Sequence, residues 1–208
     1  MTTGPDLLAL SPVMPVVVID DVDDAVPTAR ALLAGGIGVI ELTLRTPVAL
    51  AAIERVAAEV PDIVVGAGTV TSPAQAAQAA DMGAKFLVTP GCTDAVLDAL
   101  FAAGLPFLPG AATVSEAMRL AERGLTALKF FPAEASGGVA YLKSLTGPLP
   151  DLRFCPTGGI TVDSAPSYLA LPNVGCIGGS WLTPAKLLAA KDFGTVEKLA
   201  AEAAALRS

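Results

Sequence analysis

Lys129 lies in the segment ALKFFP, with Leu128 before it and Phe130 and Phe131 after it. If this segment is a strand, alternation places Ala127, Lys129 and Phe131 on one face and Leu128, Phe130 and Pro132 on the other. An ammonium among such neighbours is poorly hydrated, which disfavours the charged form and lowers its pKa toward the range where a free amine attacks a carbonyl. The competing reading is a lysine that snorkels to a rim or pairs with a carboxylate. Lys85, Lys143, Lys186, Lys191 and Lys198 fall in helical or loop contexts and read as solvated. In VIELTLR, Glu41, Thr43 and Arg45 share one parity, opposite to Ile40, Leu42 and Leu44. A carboxylate beside an amine nucleophile can shuttle protons, and a guanidinium can bind a substrate carboxylate through paired hydrogen bonds. An internal ion pair bridging two layers of the interior is the alternative for these two charges.

Two glycine turns add a third kind of chemistry. TGGI (Thr157 to Ile160) and GGSW (Gly178 to Trp181) follow strand-like runs late in the chain, where backbone N–H groups can cradle a phosphate if no side chain crowds the approach. Either turn alone can equally be an ordinary tight turn. The acidic run Asp20 to Asp24 could hold a divalent ion through oxygen ligands, but reads first as a solvated loop that caps the following helix. Glu134 is a second acid near Lys129, in a place where helix-dipole decoration is common, and Cys92 has no basic partner in sequence and reads as a packing residue.

The absences narrow the field. The chain has no histidine, which removes imidazole bases, Ser-His-Asp triads and most catalytic zinc or iron sites. Its three cysteines, Cys92, Cys155 and Cys176, show neither C-x-x-C spacing nor an even count, so neither a disulfide framework nor a thiolate zinc site is expected, and a reducing cytoplasm fits. Thirteen basic against twenty acidic residues give a formal charge of −7, which opposes nucleic-acid binding. The opening MTTGPDLLALSP lacks a basic n-region and an apolar core, and the longest uncharged stretch, 164–185, is broken by Pro and Gly, so neither a signal peptide nor a membrane span is expected.

These residues must be positioned by regular elements. Eight apolar or β-branched runs begin near Met14, Val39, Ile63, Phe86, Pro106, Ala127, Arg153 and Val174, and alanine-rich helical segments such as PVALAAIERVAAEV and TVSEAMRLAERG separate them. Strict alternation predicts parallel strands with right-handed crossovers, hence a single-domain α/β (β/α)8 TIM barrel of eight parallel strands over residues 1–208, with a lead-in segment 1–12 and a C-terminal helical segment 184–208. An open doubly wound sheet is the rival, although no G-x-G-x-x-G opens the first helix. Nearly every polar residue in the apolar runs (Glu41, Thr43, Arg45, Thr69, Thr89, Lys129, Thr157 and Ser180) falls at a strand's C-terminal end, where barrel active sites sit. With 53% apolar and only 16% charged residues, the chain is also expected to cover part of its surface in a homo-oligomer.

In order along the chain, PVMPVVVI, GGIGVIELTLRTP, VGAGTV, FLVTPG, FLPGAATVSE, LKFFPAE, FCPTGGIT and IGGSWL resemble the 2-keto-3-deoxy-6-phosphogluconate (KDPG) aldolases, class I aldolases of the Entner–Doudoroff pathway within the KDPG/KHG family. The resemblance spans about Pro12 to Trp181; the tail beyond Pro184 is its least specific part. It implies that Lys129 forms a Schiff base with pyruvate, that Glu41 is general acid and base, and that Arg45 contacts the pyruvate carboxylate. It further implies that Thr69, Pro90 and Phe131 line the same pocket, and that Gly158, Gly159, Gly179 and Ser180 hold the phosphate. The partners implied are 2-dehydro-3-deoxy-6-phospho-D-gluconate, pyruvate and D-glyceraldehyde 3-phosphate, with no cofactor, no metal and a homotrimeric assembly. The same residues also admit the 6-phospho-galactonate epimer or 4-hydroxy-2-oxoglutarate as substrate, a phosphosugar isomerase or epimerase using Glu41 as base, and a non-catalytic phosphate-binding barrel.

Overall fold

The computed structural model describes residues 6–207; the first five residues of the lead-in segment and Ser208 lie outside them. Strands and helices alternate as the hydrophobic pattern predicts: β1 (Val13–Val17), α1 (Ala25–Ala34), β2 (Val39–Thr43), α2 (Ala49–Glu59), β3 (Val64–Gly68), α3 (Pro73–Asp81), β4 (Leu87–Val88), α4 (Asp94–Ala103), β5 (Phe107–Leu108), β6 (Gly110–Ala111) and α5 (Val114–Glu122). There follow β7 (Ala127–Phe130), α6 (Gly138–Leu145), β8 (Arg153–Pro156), α7 (Ala165–Leu169), β9 (Ile177–Gly179), α8 (Ala185–Ala189) and α9 (Phe193–Ala204). Side-chain caps set several helix starts. Ser72 accepts from Gln75 N–H with Pro73 following it, Thr93 accepts from Val96 N–H, and Thr113 and Glu116 form a capping box that opens α5.

Every strand pairing is parallel, but the expected closed eight-stranded barrel is not what the hydrogen bonds form. Nine short strands make a six-stranded sheet in the order β5-β4-β3-β2-β1-β9 and a separate three-stranded sheet, β6-β7-β8. The run PFLPG, expected as one strand, is split at Pro109, which has no N–H to contribute to a ladder; Phe107–Leu108 joins the first sheet and Gly110–Ala111 the second. On the other side, β8 and β9 are connected only through isolated bridges, Phe154 with Val174 and Thr157 with Gly178. The result is a curled parallel α/β fold in two sheets.

The sheets curl around a shared interior. All residues of β1 and β2 are buried, as in parallel sheets covered on both faces. On the outer face of β7, Phe130 stacks on Tyr141 of α6 with ring centroids 5.4 Å apart and meets Phe154 edge-on at 6.5 Å. That contact fixes the strand's facing, and Lys129 therefore turns to the interior. The C-terminal helices do not reach the site: α9 packs along α1, closing the outer layer.

Candidate active site

Lys129 is 3% exposed and Glu41 1%, and the lysine Nζ donates to Glu41 Oε1 at 3.2 Å. They lie on strands of different sheets, β7 and β2, so the contact spans the interior. This excludes a lysine snorkelling to the rim. It realises the pairing alternative in a form that also serves chemistry, because the carboxylate is the acceptor through which the amine can be freed. Isolating either charge here would be costly, since removing one member of a buried pair typically destabilises by about 3–5 kcal/mol. The interior makes room for the acid on purpose: a Cβ at Gly68 would fall 2.1 Å from Glu41 Oε1, so only glycine fits at the end of β3.

Arg45 follows β2 at the exposed mouth, and its Nε donates to Thr69 Oγ1 at 3.0 Å. Thr69 has φ of 57°, the left-handed region that a β-branched residue seldom enters and that costs on the order of 1–3 kcal/mol. The strained backbone aims its hydroxyl at the guanidinium, which fixes Arg45 in place. Thr89, wholly buried at the end of β4, accepts from Gly110 N–H at 3.0 Å, and the next residue, Pro90, packs its carbonyl against Gly110. Gly110 is the register partner of Lys129, so Pro90 stands one strand away from the amine.

A cavity of about 110 Å³ opens at the strands' C-terminal ends, lined by Arg45, Phe131, Gly158, Gly159 and Ser180 together with Thr157 and its neighbours. Phe131 joins it to the amine, for the Lys129 Nζ lies 5.7 Å from the Phe131 ring centroid. Gly158 and Gly159 have φ of 104° and 80°, which turns the backbone here without a Cβ in the way. Gly179 does not line this cavity: a Cβ there would meet the Trp181 ring, 2.3 Å away, while its neighbour Gly178 faces the cavity. Cys155, the register partner of Lys129 on β8, has its thiol held below the usual range, first by a hydrogen bond with Cys176 and then, against burial, by the charge on Lys129.

Two roomier cavities, of about 240 and 260 Å³, lie elsewhere. In one, burial pushes the Cys92 thiol up to about 11, so it stays protonated at neutral pH, in keeping with a packing role. The other is bounded by the acidic run, three of whose four carboxylates are engaged: Lys191 bonds Asp21 and Asp24, Arg55 bonds Asp23 at 2.6 Å, and Asp21 also caps Asp23 N–H. Among the described residues no group of three or more His, Cys, Asp or Glu side chains is placed to hold a metal, and no helix is long and apolar enough to cross a membrane. Glu134 does not reach Lys129 as its partner; its Oε1 accepts from the Tyr168 hydroxyl at 2.6 Å. Gly68, which leaves space for Glu41, and Tyr168, which bonds Glu134, are not singled out by the sequence. Gly68 falls in the VGAGTV motif, where nothing in the residue type shows that its missing side chain makes room for Glu41, and Tyr168 is one aromatic in an ordinary helical stretch.

A buried amine touching a carboxylate at the carboxyl ends of parallel strands defines an imine-forming class of enzyme. The chain belongs to the aldolase family described as KDPG and KHG aldolase, which it matches over residues 6–199. It is 50% identical over 204 residues, covering 98% of this chain and 96% of the relative, to the 2-dehydro-3-deoxy-phosphogluconate aldolase of Dickeya dadantii. Its structure is similar to KDPG aldolase from Legionella pneumophila with pyruvate captured as a covalent carbinolamine intermediate, at TM-score 0.93 and 44% identity, covering 95% of this chain and 96% of that one. The KDPG aldolase of Zymomonas mobilis with 3-phosphoglycerate is similar at TM-score 0.91 and 47% identity, covering 96% of this chain and 93% of that one.

Proposed function

We infer that this chain is a class I aldolase that reversibly cleaves 2-dehydro-3-deoxy-6-phospho-D-gluconate to pyruvate and D-glyceraldehyde 3-phosphate, as in the Entner–Doudoroff pathway. The observation that carries the reading is the buried Lys129–Glu41 contact of 3.2 Å. Glu41 takes a proton from the Lys129 ammonium, and the free Nζ adds to the C2 ketone. Glu41 returns a proton to the carbinolamine oxygen, which leaves as water and gives a protonated imine. As the C3–C4 bond breaks, its electron pair flows into the imine nitrogen to leave an enamine, and the C4 hydroxyl gives up its proton to the Glu41 carboxylate as the aldehyde departs. Protonation at C3 and hydrolysis release pyruvate and regenerate the amine. The imine itself is the electron sink, so the cycle needs no metal or cofactor.

Arg45, held by Thr69, binds the keto-acid carboxylate, and Pro90 and Phe131 form apolar walls beside the reacting carbon. The backbone around Gly158, Gly159 and Gly178, with the Ser180 hydroxyl, receives the phosphate, while Gly179 packs on Trp181; the open left-handed turn at 158–159 supports this role. The enzyme works as a single domain in the cytoplasm and assembles as a homotrimer, a reading supported by the exposed apolar side chains Phe101, Met118 and Val162. Light scattering at three times the chain mass would accord with the trimer; a monomer would contradict it.

The substrate is tested by measuring pyruvate release from the phosphorylated aldol and from 4-hydroxy-2-oxoglutarate, with wild type and Gly159→Val. A Cβ at Gly159 would lie 2.7 Å from the Glu134 side chain as well as crowding the turn. The expected result is a wild-type preference for the phosphorylated aldol that the variant lowers by about 1–3 kcal/mol in kcat/KM, with the unphosphorylated substrate little affected. A wild-type preference for the unphosphorylated acid would overturn the assignment.

A further inference from the structure

Tyr168 is wholly buried in α7, the helix that follows the Gly158–Gly159 turn. Its hydroxyl does not face the cavity but donates to Glu134 Oε1 at 2.6 Å. Burial, and then the adjacent Glu134 carboxylate, push the phenol above its usual range, so it remains a donor wherever the enzyme works. Glu134 in turn grips the turn twice. Its backbone N–H donates to Gly158 O at 3.1 Å, next to the Ala133 N–H to Thr157 O bond of 2.8 Å. Its Cβ and Cγ lie so close under Gly159 that a Cβ added there would sit 2.7 Å away. The hydroxyl of Tyr168 and the Glu134 carboxylate also lie beneath Gly138, at 3.0 and 3.5 Å from a Cβ built on it.

We propose that Tyr168 is a positioning residue for the anionic end of the substrate: through Glu134 it fixes the 158–159 turn and holds that carboxylate turned away from the incoming phosphate. The inference rests on the reading of this turn as the phosphate cradle and deepens it, because it makes preference for the phosphorylated aldol depend on a side chain that touches no substrate. An unrestrained Glu134 would be free to swing toward the cradle, where its charge would repel a dianion.

The test compares wild type, Tyr168→Phe, Glu134→Gln and Glu134→Ala on the phosphorylated aldol and on 4-hydroxy-2-oxoglutarate, alongside borohydride trapping of pyruvate. Tyr168→Phe removes one oxygen. It is expected to raise KM for the phosphorylated aldol roughly tenfold, the scale of a lost hydrogen bond to a charged group, with kcat changing little. KM for the unphosphorylated acid and the rate of pyruvate trapping are expected to stay near wild type. Glu134→Gln keeps both the acceptor oxygen and the packing under Gly159 and should retain near-wild-type KM, whereas Glu134→Ala, which loses that packing but leaves no charge to swing toward the cradle, should raise KM less than Tyr168→Phe. If wild type prefers the phosphorylated aldol but Tyr168→Phe shifts both substrates together or neither, the positioning role is overturned while the cradle stands. If wild type shows no such preference, the cradle reading falls and this inference with it.

Discussion

At the scale of single residues the account turns on an acid and a base with separable duties. In the proposed mechanism Glu41 moves protons and Arg45 holds a carboxylate, so their variants should fail differently. Glu41→Gln keeps the shape and a hydrogen-bonding partner for Lys129 but cannot accept a proton; kcat is expected to drop by roughly 10²- to 10⁴-fold, with the circular dichroism spectrum unchanged. Near-normal turnover would move proton transfer to another group. Arg45→Ala, at the exposed mouth, should chiefly raise KM for pyruvate in the condensation direction, read from initial rates at varied pyruvate. The facing of these side chains was legible in the sequence because strand alternation is strict: the parity of ALKFFP and VIELTLR alone sends Lys129 and Glu41 to one interior. Their 3.2 Å meeting was not legible, since it joins positions 88 residues apart on two sheets. The left-handed φ of Thr69 was equally hidden, because nothing in the residue type announces a conformation that type disfavours.

At the scale of elements, what matters is how strands admit polar groups into a packed interior. Gly68 at the end of β3 leaves the space that Glu41 fills. Gly68→Ala would drive a methyl into that carboxylate, so activity is expected to fall by at least tenfold and the melting temperature to decrease; full activity would show that Glu41 can sit elsewhere. Element order and the placement of polar side chains toward strand C-terminal ends followed from the alternation of apolar runs with alanine-rich helices. Closure of a barrel did not follow, because hydrogen-bond continuity depends on single backbone groups. Pro109 interrupts one ladder, and at the other seam β8 and β9 meet only at isolated bridges. A hydrophobic pattern carries no record of such gaps. The acidic run after β1 shows the converse: its composition allowed a metal loop or a capping loop, and its pairing with Lys191 and Arg55 came from elements far along the chain.

At the scale of the whole molecule, stability has a predictable acid limb. Backbone N–H donors at Asp23 and Ala112, joined by Lys191 and by Thr113, hold the Asp21 and Glu116 carboxyls below their ordinary values of 3.8 and 4.5, and the Thr195 hydroxyl does the same for Asp192. Carboxyls depressed in the folded state contribute stability above their unfolded pKa and lose it as pH falls through the folded values. The melting temperature is therefore expected to fall as pH drops below about 4.5, the ordinary glutamate value, and Glu116→Gln to lose less over that span. An identical acid profile in the variant would contradict this origin. The central claim remains that one lysine among six carries the covalent chemistry. Its most direct test is reduction with borohydride in the presence of pyruvate, followed by intact mass and peptide mapping. The account predicts a single reduced pyruvyl adduct on Lys129, absent in Lys129→Ala; an adduct on another lysine, or none on the active wild-type enzyme, would contradict it.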